Sequence, residues 1–318
     1  MRWQIVSLLV VMGCTTKPQP TIQTHNEDQT AEDAAPTTIL DQRGHSVTLT
    51  QPTLRIVSLS PALTETLFAV GCGKQVILRD GWSDYPPEVR AIAAVQGFAP
   101  SAEAILAARP DLVLSNFPPP ALASALDAAH VPWLAFAPKT ISDVTQTLRA
   151  VAQACGQKRA GEALATAFTR RIAQIRERVQ DKVPPRVFYE MDAGIAGQPY
   201  TIGKKTFGQE VLTLAGGDNL FGQQDREWFQ VSAEAVLDLD PDVVLLGDAD
   251  VQDSPQSLET LRHRPTMALL RAVRTSQVFP LHADLVSRPG PRLALGVEEV
   301  ARLLHPVALL DLPLLQPL

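Results

Sequence analysis

The sequence predicts an α/β protein in which two series of alternating strands and helices are separated by a long helical segment. Short apolar runs rich in β-branched residues, such as LRIVSLS (54–60) and RVFYEMD (186–192), are followed by stretches with helical apolar spacing. That alternation is typical of parallel sheets with helices on both faces. Between the two series, residues 141–181 contain no proline and only two glycines, Gly156 and Gly161, and therefore favour helix.

The first series occupies residues 54–140. Its predicted elements are, in order, strand 54–60, helix 61–71, strand 75–80, helix 101–110, strand 111–115 and strand 130–138. The first helix begins at Pro61, which suits a first helical turn, and ends at Gly71. Its apolar residues recur at intervals of three or four, which indicates one buried face.

The long helical segment, residues 141–183, has apolar residues every three or four positions and charges between them. As one continuous helix it would be about 60 Å long at a rise of 1.5 Å per residue. The glycines mark a place where it can break or kink, and KVPP (182–185) ends it because proline cannot continue a helix. The second series occupies residues 184–306, and residues 307–318 are predicted to be a C-terminal tail.

The first fourteen residues, MRWQIVSLLVVMGC, resemble a bacterial lipoprotein signal in which Cys14 becomes the lipidated first residue of the mature chain. Arg2 supplies the positive start, and the apolar core that follows is too short to span a bilayer as a helix. A plain secretory signal, or an apolar start to a cytosolic protein, are the alternatives. Residues 15–53 begin with a polar stretch poor in apolar side chains and are predicted to be a flexible tether.

Two segments of the sequence nearly repeat each other: SAEAILAARPDLVLS, which starts at Ser101, and SAEAVLDLDPDVVLL, which starts at Ser232. Each copy offers a serine N-cap, an acid in the first helical turn and a Pro-Asp that ends the helix before a buried strand. The acids are Glu103 and Glu234. An acid in a first turn interacts favourably with the helix dipole by about 0.3–1 kcal/mol, which explains each glutamate singly but not the matched pair.

Charge and cysteine content restrict the function classes. The net charge is −6, which gives no basic face for nucleic acid. Besides Cys14 the chain has only Cys72 and Cys155, which either pair in an oxidising compartment or remain two buried thiols. Cysteine and histidine show no metal-ligand spacing, so no metal site and no cofactor are predicted.

Several segments together resemble the substrate-binding proteins of ABC importers for cobalamin, haem and iron siderophores. They are RIVSLSPALTETLFAVGCGKQVI, SDYPPEV, SAEAILAARPDLVL, TFGQEVLTLAGGDNLF and VSAEAVLDLDPDVVL, and the resemblance extends from about residue 54 to 306. It is strongest to the branch that binds vitamin B12. It implies two Rossmann-like lobes bridged by one long helix, with the ligand in a cleft between the lobes.

The resemblance also implies partners and an exported location. In that family a glutamate on each lobe docks onto arginines of a dimeric permease, which works with ATPase subunits. By position in the motif those glutamates are Glu103 and Glu234 here. The protein is therefore expected to be periplasmic and held at a membrane by the lipid on Cys14.

The resemblance further implies a set of ligand contacts. They are Ser60, Pro61, Ala62, Trp82, Tyr85, Tyr200, Trp228, Asp284 and Arg288. Aromatic faces suit a large flat corrin ring, and an Asp–Arg pair can hydrogen-bond its amide arms. Core packing for the aromatics and a surface salt bridge for Asp284 and Arg288 are the structural alternatives. Where the B12 binder has a further tryptophan, this chain has Val95, with Phe98 nearby.

Two other functions remain open from the sequence. A haem or ferric-siderophore binder would use an axial Tyr85, Tyr200 or His282 for haem, or basic cleft residues such as Arg288 for a siderophore. An enzyme on the same scaffold is disfavoured because the chain lacks a G-x-S-x-G elbow, a phosphate loop and an H-E-x-x-H motif.

Overall fold

The computed structural model of the protein describes residues 36–95, 100–195, 197–250 and 255–314. Cys14, the rest of the predicted signal and Phe98 lie outside the described residues. Within those residues, no helix is both long and apolar enough to cross a membrane.

The N-terminal lobe is built on a five-stranded parallel sheet with strand order β5-β4-β3-β6-β7. Its strands are β3 (Ile56–Leu59), β4 (Val76–Asp80), β5 (Ala94–Val95), β6 (Leu112–Ser115) and β7 (Trp133–Ala135), and its helices are α1 (Pro61–Ala69), α2 (Ala102–Ala107) and α3 (Pro120–Ala128). All four residues of β3 and of β6 are buried, because helices cover both faces of the sheet. The strand order reverses between β3 and β6, so a crevice is expected there at the carboxyl ends of the strands.

A hairpin precedes this sheet where the sequence predicted a tether. β1 (Thr37–Leu40) and β2 (Ser46–Leu49) pair antiparallel, and Ile39, Val47 and Leu49 are buried in the core. The Asp41 carboxylate accepts a hydrogen bond from the backbone N–H of Ala135 at 3.1 Å, which fastens the hairpin to β7. The prediction of a flexible tether to residue 53 is therefore wrong for residues 37–49, where alternate apolar residues find a partner surface.

The predicted single bridging helix is a pair of helices. α4 (Ile141–Ala154) packs on the N-terminal lobe, α5 (Lys158–Val179) packs on the C-terminal lobe, and the two pack on each other. Gly156 lies between them at φ +80°, a conformation that favours glycine. At Gly161 a Cβ would lie 2.4 Å from the Cβ of Ala152, so only glycine permits this close crossing.

The two remaining cysteines form a disulfide. Cys72 follows α1, Cys155 follows α4, and their sulfur atoms are bonded at 2.10 Å. Of the two possibilities left open by the sequence, pairing is therefore the one found. The bond ties the first helix of the N-terminal lobe to the helix pair.

The C-terminal lobe combines a parallel sheet with a small antiparallel one. The parallel sheet has the order β11-β8-β13-β14 and the antiparallel sheet the order β12-β10-β9. The strands are β8 (Arg186–Glu190), β9 (Asp192–Ile195), β10 (Gln198–Ile202), β11 (Asp218–Asn219), β12 (Trp228–Gln230), β13 (Val243–Leu246) and β14 (Val278–Pro280). The helices are α6 (Phe207–Leu214), α7 (Ala233–Leu239), α8 (Leu258–Arg262), α9 (Arg271–Arg274), α10 (Ala283–Ser287) and α11 (Leu293–Leu304).

The described part of the C-terminal tail packs against this lobe. Leu309 and Leu312 are buried, and the Arg302 guanidinium donates to the carbonyl oxygens of both. The Arg171 guanidinium of α5 pairs with buried Glu298 of α11. These contacts fasten the end of the chain to the helix pair.

Candidate ligand-binding site

The turn after β3 brings the N-terminal lobe against the C-terminal lobe. Ser60 is the N-cap residue of α1 and Pro61 its first residue, and both Ser60 and Ala62 are buried. A Cβ on Gly290 would lie 3.1 Å from the Cα of Ala62. The predicted contact residue Ala62 therefore lies at the seam where the lobes meet.

The loop after β4 presents Trp82 to solvent through a fixed turn. The buried Asp80 carboxylate accepts hydrogen bonds from the backbone N–H groups of Trp82 at 2.7 Å and Ser83 at 3.0 Å. The hydroxyl of Ser83 donates to the same carboxylate and lies 2.9 Å from the hydroxyl of Thr64 on α1. This network fixes the backbone, while the Trp82 residue remains 60% exposed.

On the C-terminal lobe, two predicted aromatics share one face of the small antiparallel sheet. Tyr200 on β10 lies opposite Gln230, and Ile202 lies opposite Trp228 on β12, so Tyr200 and Trp228 point to the same side. Tyr200 is 37% exposed and Trp228 is 50% exposed. Neither is a core residue, so the alternative of core packing does not hold for them.

Five charged residues join the two lobes, and we call them the interlobe clasp: Glu65 and Asp84 from the N-terminal lobe and Asp284, Arg288 and Arg292 from the C-terminal lobe. Glu65 is buried and receives two hydrogen bonds from Arg292, at 2.9 and 2.6 Å. Arg288 reaches Glu65 at 3.2 Å, Asp84 at 2.8 Å and Asp284 at 2.7 Å. Asp284 and Arg288 are thus more than the surface pair considered from the sequence.

The clasp perturbs the ionisation of its outer carboxylates. Burial by itself would raise the pKa of Asp84, but the hydrogen bond and charge of Arg288 outweigh burial and lower that pKa. For Asp284 burial dominates, and the pKa is raised despite the nearby charge of Arg288. The clasp therefore holds Arg288 against several carboxylates rather than leaving its donors to solvent.

The predicted residue Tyr85 lies beneath this clasp. The guanidinium of Arg292 lies over its ring, 3.9 Å from the centroid, which is a cation–π distance. The structure thus uses Tyr85 to support an arginine at the seam. Trp82 is also linked to the clasp, since its carbonyl oxygen is 3.4 Å from Nη2 of Arg288.

A second ionic contact crosses the seam beside Trp228. Lys139, at the end of the N-terminal lobe, pairs with Glu227 of the C-terminal lobe. Glu227 immediately precedes Trp228. The two predicted tryptophans are therefore each placed at, or one residue from, a contact between the lobes.

Sequence reasoning missed several members of this site. Glu65 and Arg292 form the centre of the clasp, and the one available signal was an acid among the apolar residues of PALTETLFAVG. Phe117 follows β6 at the carboxyl edge of the N-terminal sheet and is 69% exposed. Val95, by contrast, is buried in β5 and lies in the core.

The repeated segments form α2 and α7 with the same caps. The Ser101 hydroxyl accepts from the backbone N–H of Ala104 at 3.2 Å, and the Ser232 hydroxyl accepts from that of Ala235 at 3.1 Å. Both predicted N-caps are confirmed. Each helix also ends in a residue with positive φ just before proline, Arg109 at 49° and Asp240 at 40°.

The repeated aspartates fasten neighbouring strands at their starts. The Asp111 carboxylate accepts from the backbone N–H groups of Leu54 and Arg55 at 2.9 and 3.0 Å. The Asp242 carboxylate accepts from the backbone N–H of Arg186 at 2.8 Å. In each lobe the repeat therefore couples the entry of one buried strand to its neighbour.

The repeated glutamates are exposed in both lobes. Glu103 accepts from the hydroxyl of its own cap, Ser101, at 2.9 Å, and Glu234 lies 3.4 Å from the hydroxyl of Thr266. The serines of the repeat thus cap helices and its aspartates hold neighbouring strands together inside each lobe, whereas the glutamates present charge to solvent.

Metal chemistry finds no support in the described ranges. There, no three His, Cys, Asp or Glu side chains converge to hold a metal ion. The site is instead an aromatic and ionic seam between two lobes.

Comparisons with known proteins agree with this architecture. The family model described as periplasmic binding protein matches residues 56–285. The vitamin B12-binding protein of Pectobacterium atrosepticum is 30% identical over 257 residues, covering 77% of this chain and 86% of that protein. An uncharacterized ABC transporter substrate-binding lipoprotein of Bacillus subtilis, YvrC, is 28% identical over 316 residues, covering 96% of each chain.

A solved structure shows the same fold. The periplasmic heme-binding protein RhuT from Roseiflexus sp. RS-1, in apo form, superposes with a TM-score of 0.71 at 29% identity, covering 80% of this chain and 98% of that one. The relatives are binding proteins and not enzymes. With two parallel-sheet lobes, an aromatic seam and a family match over most of its folded part, the chain belongs to the periplasmic binding protein family.

Proposed function

We propose that the protein is the substrate-binding component of an ABC importer that carries cobalamin or a related corrinoid. The observation that supports it most directly is the placement of Trp82 and Trp228. They come from different lobes, both are at least half exposed, and each lies beside an interlobe contact. Exposed aromatic faces at a seam suit a large planar ligand with polar edges.

The state of the clasp favours an amide-bearing ligand over one that carries carboxylates. Arg288 contacts three carboxylates, and Arg292 is held by two hydrogen bonds to Glu65. A ligand carboxylate would have to displace these partners and would meet like charges at Asp84 and Asp284. The neutral amide arms of a corrin can donate to the clasp carboxylates without that repulsion.

Haem is the second candidate, and the relative from Roseiflexus favours it. Tyr200 is exposed beside Trp228 and offers a phenol oxygen to a haem iron. His282 is also exposed and lies 3.7 Å from Asp250. A ferric-siderophore ligand has less support, because the clasp arginines already have anionic partners.

The ligand is tested by titrating the purified protein with cyanocobalamin, haemin and a ferric hydroxamate while following tryptophan fluorescence and absorption spectra. Cyanocobalamin is expected to bind, and Trp82→Ala or Trp228→Ala to weaken it about tenfold or more, since an aromatic stack contributes roughly 1 kcal/mol beyond the area it buries. Leu269→Ala is the matched control, an exposed apolar residue of the C-terminal lobe. Binding of haemin but of no corrinoid would contradict the cobalamin proposal and would identify haem as the ligand.

The repeated glutamates are proposed to dock the two lobes onto a permease dimer, which works with its ATPase subunits. Glu103→Ala combined with Glu234→Ala is expected to leave ligand affinity unchanged and to abolish stimulation of the transporter's ATPase. Glu88→Ala with Glu177→Ala removes two other exposed acids and is the control. An equal loss of ligand binding in the first double variant would mean that these glutamates support the fold or the site instead.

The protein is exported, and we propose that a lipid on Cys14 holds it at a membrane. The lipoprotein relative in Bacillus subtilis supports this. Mass spectrometry of the mature chain should find diacylglycerol on Cys14, and Cys14→Ala should release the protein into the soluble fraction. An unmodified N-terminus elsewhere in the chain would indicate a plain secretory signal.

A further inference from the structure

The edge strand β9 is weakly held by its own sheet at its middle. In the sheet order β12-β10-β9 it has one neighbour, β10, and the register between the two strands shifts at Pro199. Pro199 has no N–H to donate, and its carbonyl oxygen accepts from the N–H of Val231, just after β12, on the opposite side. The middle of β9 therefore receives no backbone hydrogen bond from Pro199.

Asp248 supplies a partner for this part of β9 from the parallel sheet. It follows β13 and is 4% exposed, and its carboxyl group accepts a hydrogen bond from the backbone N–H of Ala193 in β9. The next residue, Gly194, donates its N–H to Oδ1 of Asp192 at 2.7 Å. One buried side chain thus ties the edge strand to the parallel sheet at the point where β10 does not hold it.

This tie lies next to a predicted ligand contact. Asp192, the residue before Ala193, lies opposite Tyr200 on β10, and the carbonyl oxygen of Tyr200 accepts from the N–H of Met191 at 2.9 Å. Tyr200 shares the exposed face of the small sheet with Trp228. Because paired strands are joined by their hydrogen bonds, a shift of β9 displaces the backbone that carries Tyr200.

The charges around Asp248 oppose its ionisation. The titratable and charged groups around it are Tyr189 and Glu190 of β8, Asp192 of β9, Asp250 of the following loop and Arg264 after α8. The guanidinium of Arg264 is already held by both carboxylate oxygens of buried Glu190, at 2.7 and 2.9 Å, and by Gln256. An ionised Asp248 adds a second buried negative charge beside a cation that is already paired.

The hydrogen bonding of Asp248 also favours its neutral form. Its Oδ1 atom has no hydrogen-bond partner among the residues that the structure describes. Burial and the charge of Glu190 raise the pKa of Asp248 to about 7. A buried, ionised oxygen without a donor is costly, and the cost falls when water reaches it. Ionisation therefore favours separation of β9 from Asp248, since that separation admits water.

We propose that Asp248 is a positioning residue of the ligand-binding site: its neutral carboxyl group holds β9 in place and thereby sets the position of Tyr200. The inference rests on the proposed function, because it assumes that the face of Tyr200 and Trp228 receives the ligand, and it adds a control by pH. A ligand on that face holds the sheet in place and so favours the proton on Asp248. By linkage, ligand affinity falls as the pH rises through about 7, where Asp248 ionises.

The first test measures the dissociation constant for cyanocobalamin at pH 6 and pH 8. Wild-type protein is expected to bind about fivefold more weakly at pH 8. Asp248→Asn should bind equally at both, because the amide keeps an acceptor for Ala193 and cannot ionise. Asp181→Asn changes an exposed acid and should keep the wild-type pH dependence. Equal wild-type affinity at both pH values, or a pH dependence that persists undiminished in Asp248→Asn, overturns the proposal.

The second test needs no ligand. Hydrogen exchange of the ligand-free protein, measured by mass spectrometry and corrected for the intrinsic effect of pH, follows the peptides that contain β9 and β10. Their protection should fall between pH 6 and pH 8 in wild type but not in Asp248→Asn, with peptides of the β1–β2 hairpin as internal reference. Asp248→Ala, which lacks the acceptor, should lose protection at both pH values. Unchanged protection in this variant, once circular dichroism shows it folded, overturns the proposal; if it does not fold, the asparagine variant decides.

The two tests separate this inference from the proposed function. Failure to bind cyanocobalamin at either pH contradicts the cobalamin proposal, while the exchange measurement still decides whether Asp248 holds β9. Binding of cyanocobalamin that is independent of pH, with unchanged exchange in the Asp248 variants, leaves the proposed function intact and removes the role of Asp248.

Discussion

Asp248 is a carboxylate whose environment opposes its ionisation. Burial and the charge of Glu190 raise its pKa to about 7, and the backbone N–H of Ala193 offsets them only in part. Glu190 is fully buried, and burial raises its pKa too, although Arg264 opposes the shift. Burial and the charges of Asp248 and Asp250 likewise raise the pKa of Tyr189. The ionisable side chains near the carboxyl end of β8 therefore keep their protons to higher pH than the same groups do in water.

Asp248→Asn is expected to stabilise the protein at alkaline pH. The unfolded chain releases the Asp248 proton near pH 4, while the folded protein keeps it to about pH 7, so stability is lost as pH rises through that window and stays low above it. The asparagine variant lacks this loss and should melt about 3–8 °C higher than wild type at pH 8 and within about 1 °C at pH 4. Differential scanning calorimetry of both proteins, with the exposed Asp181→Asn as control, measures the difference. An equal shift at the two pH values would show that ionisation of Asp248 is not the cause.

For single residues, the sequence predicted contacts between near neighbours, such as helix caps, but did not predict contacts between residues far apart in the chain. The caps at Ser101 and Ser232 follow from residues three positions apart, and both were predictable. Glu65 finds Arg292 across more than two hundred residues, and no local pattern indicates such a pair. The exposed tryptophans came from a family resemblance and not from periodicity.

At the scale of elements, the helix pair depends on one close crossing. Gly161 of α5 lies against Ala152 of α4, and a methyl group there would overlap the opposite one. Gly161→Ala should therefore destabilise the protein by about 1–3 kcal/mol, although alanine is the better helix former by roughly 1 kcal/mol. Chemical denaturation measures this, with the exposed Ala167→Leu as control. A more stable Gly161→Ala would mean that the helices separate easily.

Two elements of the fold could not be predicted from sequence patterns alone. The hairpin of residues 37–49 has few apolar residues, and only the surface of the N-terminal lobe makes its alternate burial favourable. The break in the helical segment was foreseen at the glycines, but a pattern of period 3.6 is the same for one long helix and for two packed ones. Tertiary packing decides both cases.

At the scale of the whole molecule, the clasp couples the lobes through buried charge. Glu65→Ala leaves Arg292 without its two hydrogen bonds and takes one carboxylate from Arg288. Breaking one side of a buried pair typically costs about 3–5 kcal/mol. The variant should melt roughly 5–15 °C lower and show a larger radius of gyration in small-angle X-ray scattering.

Glu88→Ala removes an exposed acid and should change neither quantity. A Glu65→Ala protein with the wild-type melting temperature would show that the clasp adds nothing net, as replaced ion pairs sometimes do.

The disulfide also contributes to the stability of the whole molecule. Cys72 and Cys155 are 83 residues apart in sequence, so the bond closes a long loop. Loop-closure entropy predicts that Cys72→Ala with Cys155→Ala loses about 2–4 kcal/mol of stability. Denaturation of the variant, compared with wild type in the presence and absence of reductant, gives the value. A variant as stable as the oxidised wild-type protein would contradict this prediction.

That bond also sets an order of events in the life of the chain. The cytosol keeps thiols reduced, so Cys72 and Cys155 can join only after the chain has left it. A chain awaiting export therefore lacks the link between its first helix and its helix pair, and its most stable state is out of reach until export is complete. The protein reaches its full stability only in the compartment where it works, and a copy retained in the cytosol would be degraded more easily by proteases.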